Sequence, residues 1–183
     1  MINNILITGQ INSGKSTLIN RIIEINGLSV KGFRSEPFFE HDERVGFYIC
    51  PANLKSEWSQ VDKEENLIGR IIGYKQVEPY TEIFEKNGVN YLNAAKDGKS
   101  VILMDELGII EKKAYRFQEK VMECLDSSQL VICSIRDEKS PFLDRVRAHK
   151  GALLYSVNEN NRNDLVDSVT RFIEDFFSEN KMV

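Results

Sequence analysis

Short apolar runs alternate along the chain with segments in which apolar residues recur every three or four positions, a pattern that predicts a parallel sheet covered by helices. Ile5-Leu6-Ile7 reads as a buried strand, and residues 16–25 follow as a helix with Leu18, Ile19, Ile22 and Ile23 on its inner side. Three more runs, VILMDE (101–106), LVICSI (130–135) and ALLYSV (152–157), read as fully apolar strands. Ala114, Phe117, Val121, Met122 and Leu125 recur at helical spacing, as do Leu165, Val166, Val169, Phe172, Ile173, Phe176 and Phe177 near the end. Such stripes are core packing. Residues 30–75 break the rhythm: VKGFRSEPFFEHDERVGFYICP reads as a β-hairpin whose polar turn is EHDE, and LIGRIIGY follows after a polar stretch. The expected fold is therefore α/β, a mostly parallel sheet flanked by helices, with an inserted β-hairpin region at about 30–75 that lies against the sheet.

Composition narrows the class without changing the fold. A chain of 183 residues suits one domain spanning 1–183, and 42% hydrophobic against 28% charged residues is the balance of an ordinary folded protein. Twenty-four Lys and Arg against 28 Asp and Glu leave a net charge of -4 with no long basic run, so no nucleic-acid partner is expected. Cys50, Cys124 and Cys133 are widely spaced and odd in number, which reads as buried thiols in a reducing cytoplasm and not as a disulfide frame or a zinc site. No run approaches the length needed to cross a bilayer, so no membrane partner is expected and the protein is expected to be cytoplasmic.

The chemistry begins at Gly9-Gln10-Ile11-Asn12-Ser13-Gly14-Lys15-Ser16, which satisfies G-x-x-x-x-G-K-[ST] at every fixed position between a strand and a helix. The two glycines permit backbone angles that let the main chain wrap a phosphate. Amides from about Asn12 to Thr17 would point inward, joined by the positive end of the helix. Lys15 can reach the β- and γ-phosphates, and the Ser16 hydroxyl can ligate magnesium (Mg2+). Residues 9–17 are thus the expected contacts of a bound nucleoside triphosphate.

A phosphate loop needs a second group on the metal side, and the strand ending in Asp105-Glu106 supplies it. Asp105 would orient magnesium, and Glu106 could position a water and accept its proton. A carboxylate directly after the metal aspartate suits a water-activating enzyme, so Glu106 and Lys15 are the expected catalytic pair. DELG (105–108) also fits the D-x-x-G pattern of guanine switch proteins, but no N-K-x-D follows, which argues against a guanine switch. Ser134 is a candidate sensor of the phosphate or of the attacking water. Any of Arg34, Arg44, Arg136, Arg145 and Arg147 could neutralise transition-state charge, and sequence does not place them. His41 and His149 read as ordinary surface histidines.

ITGQINSGKSTLI (7–19), GFRSEP (32–37), RVGFYI (44–49) and DELGIIE (105–111), in that order before a helix bearing Phe117, resemble the small P-loop nucleoside-triphosphatase family found in archaea, bacteria and vertebrates. The resemblance implies a RecA-like P-loop fold with an inserted hairpin. It also implies magnesium-dependent hydrolysis of several nucleoside triphosphates to diphosphates, with Lys15, Ser16, Asp105 and Glu106 in the roles just argued. The chain departs from the family pattern at Phe39, where members typically carry an arginine, and after Gly108, where only Glu111 matches. Two other readings stay open from the residues alone. One is a nucleotide or small-metabolite kinase whose acceptor pocket is built from 30–75 and EPYTEIFEKNGVNYLNAA. The other is a nucleotide-dependent module that docks an unidentified protein partner through Phe38, Phe39 or Trp58.

Overall fold

The computed structural model describes residues 2–53, 61–74 and 76–180, so Trp58 lies outside the described residues. Eight strands form one sheet: β1 (Asn4–Gly9), β2 (Val30–Glu40), β3 (Glu43–Pro51), β4 (Leu67–Gly73), β5 (Gln76–Pro79), β6 (Val101–Leu107), β7 (Val131–Arg136) and β8 (Ala152–Ser156). Their spatial order is β5-β4-β3-β2-β6-β7-β1-β8. From β2 to β8 all neighbours are parallel, and from β2 to β5 all are antiparallel.

Helices cover both faces, as the alternation of apolar runs and helical stripes predicts. On one face α1 (Lys15–Ile25) and α5 (Arg162–Asn180) pack Leu18, Ile19, Ile22, Val166, Val169 and Ile173 onto Ile5, Ile7, Leu103 and Ile132. On the other lie α2 (Val89–Ala95), α3 (Tyr115–Leu125) and α4 (Pro141–Arg147), which bury Leu6, Phe33, Ile49, Met104 and Cys133 beneath them. Phe33, Phe84 and Phe117 form the aromatic centre of this second core, with ring centroids 5.3 Å apart for Phe33–Phe117 and 5.0 Å for Phe84–Phe117. Each ring is fully buried, a contribution of about 1.5–3 kcal/mol apiece. The three cysteines are free and buried.

The chain enters α2 through a π-helical turn, Phe84–Gly88, that follows a short helical turn Thr81–Ile83. Gly88 sits so close to the Phe117 ring that a Cβ there would come within 2.7 Å of it. The widened turn and the glycine together bring Phe84 under the sheet.

Two expectations change. The region 30–75 does not lie against the sheet: β2 pairs in parallel with β6 from Val30↔Val101 to Arg34↔Asp105, and β3 and β4 continue the same sheet outward. Gly32 makes the junction possible, because at φ +122 an added Cβ would lie 2.1 Å from the Leu103 carbonyl oxygen. The hairpin itself is where the polar turn predicted it, with His41 and Asp42 at φ 47 and 66, the paired left-handed residues of a tight turn that matches strand twist. The second change is β8. Its apolar run is an edge strand paired only with β1, none of its residues is fully buried, and Leu154 is 48% exposed. An apolar run cannot distinguish a central strand from an edge strand, because that depends on which neighbours arrive later in the chain.

Candidate functional site

A cavity of about 450 Å3 opens where the loop after β1, the end of β6 and the β2–β3 hairpin converge. Of the loop residues singled out in the sequence, Ile11, Asn12, Gly14, Lys15, Ser16 and Thr17 line it. Gly9 and Gln10 do not; their carbonyl oxygens accept hydrogen bonds from Lys15 Nζ at 3.1 and 3.2 Å. Ser13 does not line the cavity either, and its buried Oγ has no hydrogen-bond partner among the described residues. Asn12 at φ 63 and Gly14 at φ 92 supply the left-handed turns that fold the loop back on itself. Gly14 is also backed by Arg162, whose side chain would stand 3.1 Å from a Cβ on that glycine.

Asp105 and Glu106 sit side by side, joined by a cis peptide bond, in different environments. Asp105 is 4% exposed and fully engaged. Its Oδ1 accepts hydrogen bonds from Ser134 Oγ at 2.5 Å and Ser16 Oγ at 3.2 Å, and its Oδ2 accepts one from Arg34 Nη1 at 2.8 Å. Burial pushes its carboxyl pKa up, and the Ser134 hydrogen bond and the Arg34 guanidinium pull the other way. Arg34 is itself anchored, donating from Nη2 to Asn20 Oδ1 of α1 at 2.7 Å. Glu106 faces the cavity between two cations: Lys15 Nζ lies 3.0 Å from its Oε2, and Arg136 Nε donates to its Oε1 at 2.6 Å.

Ser134 is fully buried behind Asp105 and does not line the cavity. It orients the aspartate and is not placed to sense a phosphate or a water directly, because its hydroxyl is enclosed and donates to Asp105. His149 is no plain surface residue either: its ring bridges Asp126 Oδ1 at 3.0 Å and Asn4 Nδ2 at 3.3 Å. His41 is at the exposed hairpin tip.

The far wall comes from outside residues 9–17 and the Asp105-Glu106 pair. Phe47, Ile68, Phe84 and Ile110 form an apolar side, and Ser35, Arg44 and Glu111 add polar groups. Phe38 is buried in a small cluster with Tyr48 and Leu67, and Phe39 is 54% exposed and away from the cavity. Glu111 is fully enclosed, accepts the Gly108 N–H at 2.5 Å, and burial pushes its carboxyl up to about 7. The sequence signal for this wall was the pair of glycines, Gly32 and Gly46, that let the hairpin join the sheet closely; a Cβ on Gly46 would lie 2.5 Å from the Gly69 carbonyl oxygen.

The sequence model of a family described as NTPase matches residues 4–170. A nucleoside-triphosphatase THEP1 from Thermotoga petrophila is 31% identical over 170 residues, which cover 90% of this chain and 89% of that protein. The nucleoside-triphosphatase THEP1 of Aquifex aeolicus is 28% identical over 182 residues, 93% of this chain and 98% of that one. Among solved structures, THEP1 from Aquifex aeolicus superimposes with a TM-score of 0.70 at 24% identity, covering 91% of this chain and 96% of that chain. A human cancer-related nucleoside triphosphatase gives 0.71 at 21% identity, covering 94% and 98%. At these identities the structural likeness speaks for a shared fold.

Proposed function

The chain belongs to the NTPase family and hydrolyses nucleoside triphosphates, and from that premise we propose that it does so with magnesium, with broad tolerance of the base, and with Lys15 and Glu106 as its catalytic pair. The observation that carries this reading is the linked set Lys15–Glu106–Arg136 standing beside the Ser16–Asp105 pair in one cavity.

Magnesium suits the donors available. Ser16 Oγ and Asp105 Oδ1 are hard oxygens 3.2 Å apart, and the carboxylate is fixed by Arg34 and Ser134 so that it cannot turn away. Ser16 would hold the ion directly and Asp105 through its water. Held by these residues, the ion would supply charge neutralisation to the phosphates. The amides of residues 12–17 hold the phosphates and fix them in line for attack.

Lys15 has two claims on its charge. In the resting arrangement it rests on two loop carbonyls and on Glu106 Oε2. A phosphate chain in the loop offers it a stronger anion, and Lys15 then leaves Glu106 Oε2 unpaired in the cavity. Arg136 keeps Oε1 and with it the direction of the carboxylate. The released oxygen orients water toward the γ-phosphorus and accepts its proton, while Lys15 stabilises charge on the transferring group. Glu106 is in this way a base that substrate itself makes available. Base tolerance is supported by the lack of any base-reading motif in the sequence.

Phosphate release from ATP, GTP, CTP and UTP, with and without magnesium, tests the reading. Turnover should need no acceptor, fall by about 1,000-fold in Glu106→Gln while nucleotide binding survives, and vanish together with binding in Lys15→Ala. Turnover that depends on an added hydroxyl acceptor, or an undiminished Glu106→Gln, would overturn it.

A further inference from the structure

Of the five arginines that could neutralise charge in the transition state, the structure commits three elsewhere and leaves a fourth outside the cavity. Arg34 is buried and bonded to Asp105 and Asn20. Arg136 is held by Glu106 Oε1. Arg147 donates to the carbonyls of Arg136 and Glu138 and pairs with Asp144. Arg145 is exposed on α4 and does not line the cavity.

Arg44 is different. It is the second residue of β3, it lines the cavity, and no carboxylate among the described residues pairs with it. Its guanidinium instead lies over the face of Phe47, 4.2 Å from the ring centroid, where a neighbouring carboxylate is replaced by a weak cation–π contact. Arg136 lies 5.9 Å from the same ring centroid, so two like charges share one aromatic side chain. Desolvation and the repulsion from Arg136 both lower the Arg44 pKa. Arg136 already has Glu106 as its counter-ion, so of the two guanidiniums it is Arg44 that is held, among the described residues, by a weak and exchangeable contact. The register slip between Phe38 and Phe39, opposite Arg44 and Gly46, rotates this end of the hairpin and gives Arg44 its place at the cavity mouth.

We propose that Arg44 is a catalytic residue supplied in cis: it leaves the Phe47 face to contact the γ-phosphoryl oxygens as the bond to the leaving diphosphate breaks. The proposal rests on the hydrolytic reading above. The γ-phosphorus gains a bond to the water oxygen, the bond to the β–γ bridging oxygen breaks with its electron pair going to the diphosphate, and Glu106 takes the water proton. Arg44 forms no covalent bond; it compensates the charge spread over the three equatorial oxygens. Phe47 then has a role of its own, as the resting place that keeps Arg44 from pairing with Glu106 before substrate arrives.

The test compares Arg44→Ala, Arg44→Lys and Arg145→Ala with the wild-type full chain, by steady-state phosphate release and by nucleoside diphosphate binding with and without aluminium fluoride, a planar mimic of the transferring phosphoryl. Arg44→Ala should lose on the order of 1,000-fold in kcat with triphosphate affinity within about threefold. It should bind diphosphate alone but gain nothing from fluoride, whereas the wild type tightens. Arg44→Lys should recover part of the kcat, and Arg145→Ala should match wild type. An Arg44→Ala protein that turns over at near the wild-type rate, or that still traps the fluoride complex, overturns the proposal. So does loss of turnover in Arg162→Ala with Arg44→Ala unaffected, which would assign the charge to the arginine behind Gly14. A wild-type chain without turnover would instead sink the hydrolytic reading.

Discussion

The two halves of the sheet share β2 and differ in almost every other respect. The parallel half, from β2 to β8, holds its central strands dry between two helical layers and ends at the cavity, where the start of α1 presents Lys15 and Ser16 and the end of β6 presents Asp105 and Glu106. The antiparallel half, from β2 to β5, is thinner: Ile72 is 61% exposed, Tyr74 is 87% exposed, and Arg70 and Glu40 pair in the open. The first half anchors Asp105 through Arg34 and Ser134. The second carries Arg44 and Phe47, whose contacts are weak enough to be exchanged. On the proposed mechanism the two halves divide the work: one holds the phosphates, and the other supplies the group that meets the charge developed during transfer.

That contrast can be broken most severely at the seam, where Arg34 of β2 holds Asp105 of β6. Arg34→Ala leaves a buried carboxylate without its cation and should destabilise the fold by about 3–5 kcal/mol, measured by denaturant unfolding. Arg34→Met paired with Asp105→Asn should recover much of that loss. Equality between the single and the double variant would show that the ion pair is not what the seam depends on. A matched substitution then weighs the halves directly. Ile132→Ala, in a fully buried position of β7, should cost about 2–5 kcal/mol, and Ile72→Ala in β4 should stay within about 0.5 kcal/mol.

Smaller effects sharpen the comparison. Glu111 holds its proton to about pH 7 in the folded chain and only to about 4.5 when unfolded. The stability it contributes is complete below pH 4.5 and is lost as pH rises through 7. Glu111→Gln, which stays neutral, should lose about 2–3 kcal/mol less than wild type between pH 5 and 8 in thermal melts at matched ionic strength. At the hairpin tip, Asp42→Gly removes a side chain from a left-handed position and should raise stability by at most about 1 kcal/mol, readable as a small rise in Tm.

The glycine-rich loop and the Asp105-Glu106 strand end stand where the sequence puts them because each is local: eight consecutive residues form the loop, and one strand presents both carboxylates. The hairpin and its turn were legible for the same reason. What the sequence concealed was non-local. Arg34 and Asp105 are 71 positions apart, and nothing in GFRSEP announces that its arginine crosses to a neighbouring strand instead of facing water. Ser134 looked like a group at a strand end, yet the parallel pairing of β6 and β7 turns it behind Asp105. The placement of β2 beside β6 was the missing step in both cases. Gly32, through its demand for close backbone approach, is the sequence feature that marks this strand as belonging inside the sheet.

The π-helical turn at Phe84–Gly88 has a consequence for how this chain tolerates insertions and deletions. A helix advances its side chains by about 100° per residue, so one residue more or less changes the phase of everything on its far side. The widened turn holds one residue beyond what an α-helix would need between Thr81 and Ala95. Deleting a single residue there would let the segment close into a continuous α-helix with better internal bonding, yet it would turn Ile83 and Phe84 by about a quarter of a revolution relative to Val89 and Leu92. The local improvement would take Phe84 away from Phe117 and out of the cavity wall. In this segment a shorter helix would be the more regular one and the wrong one.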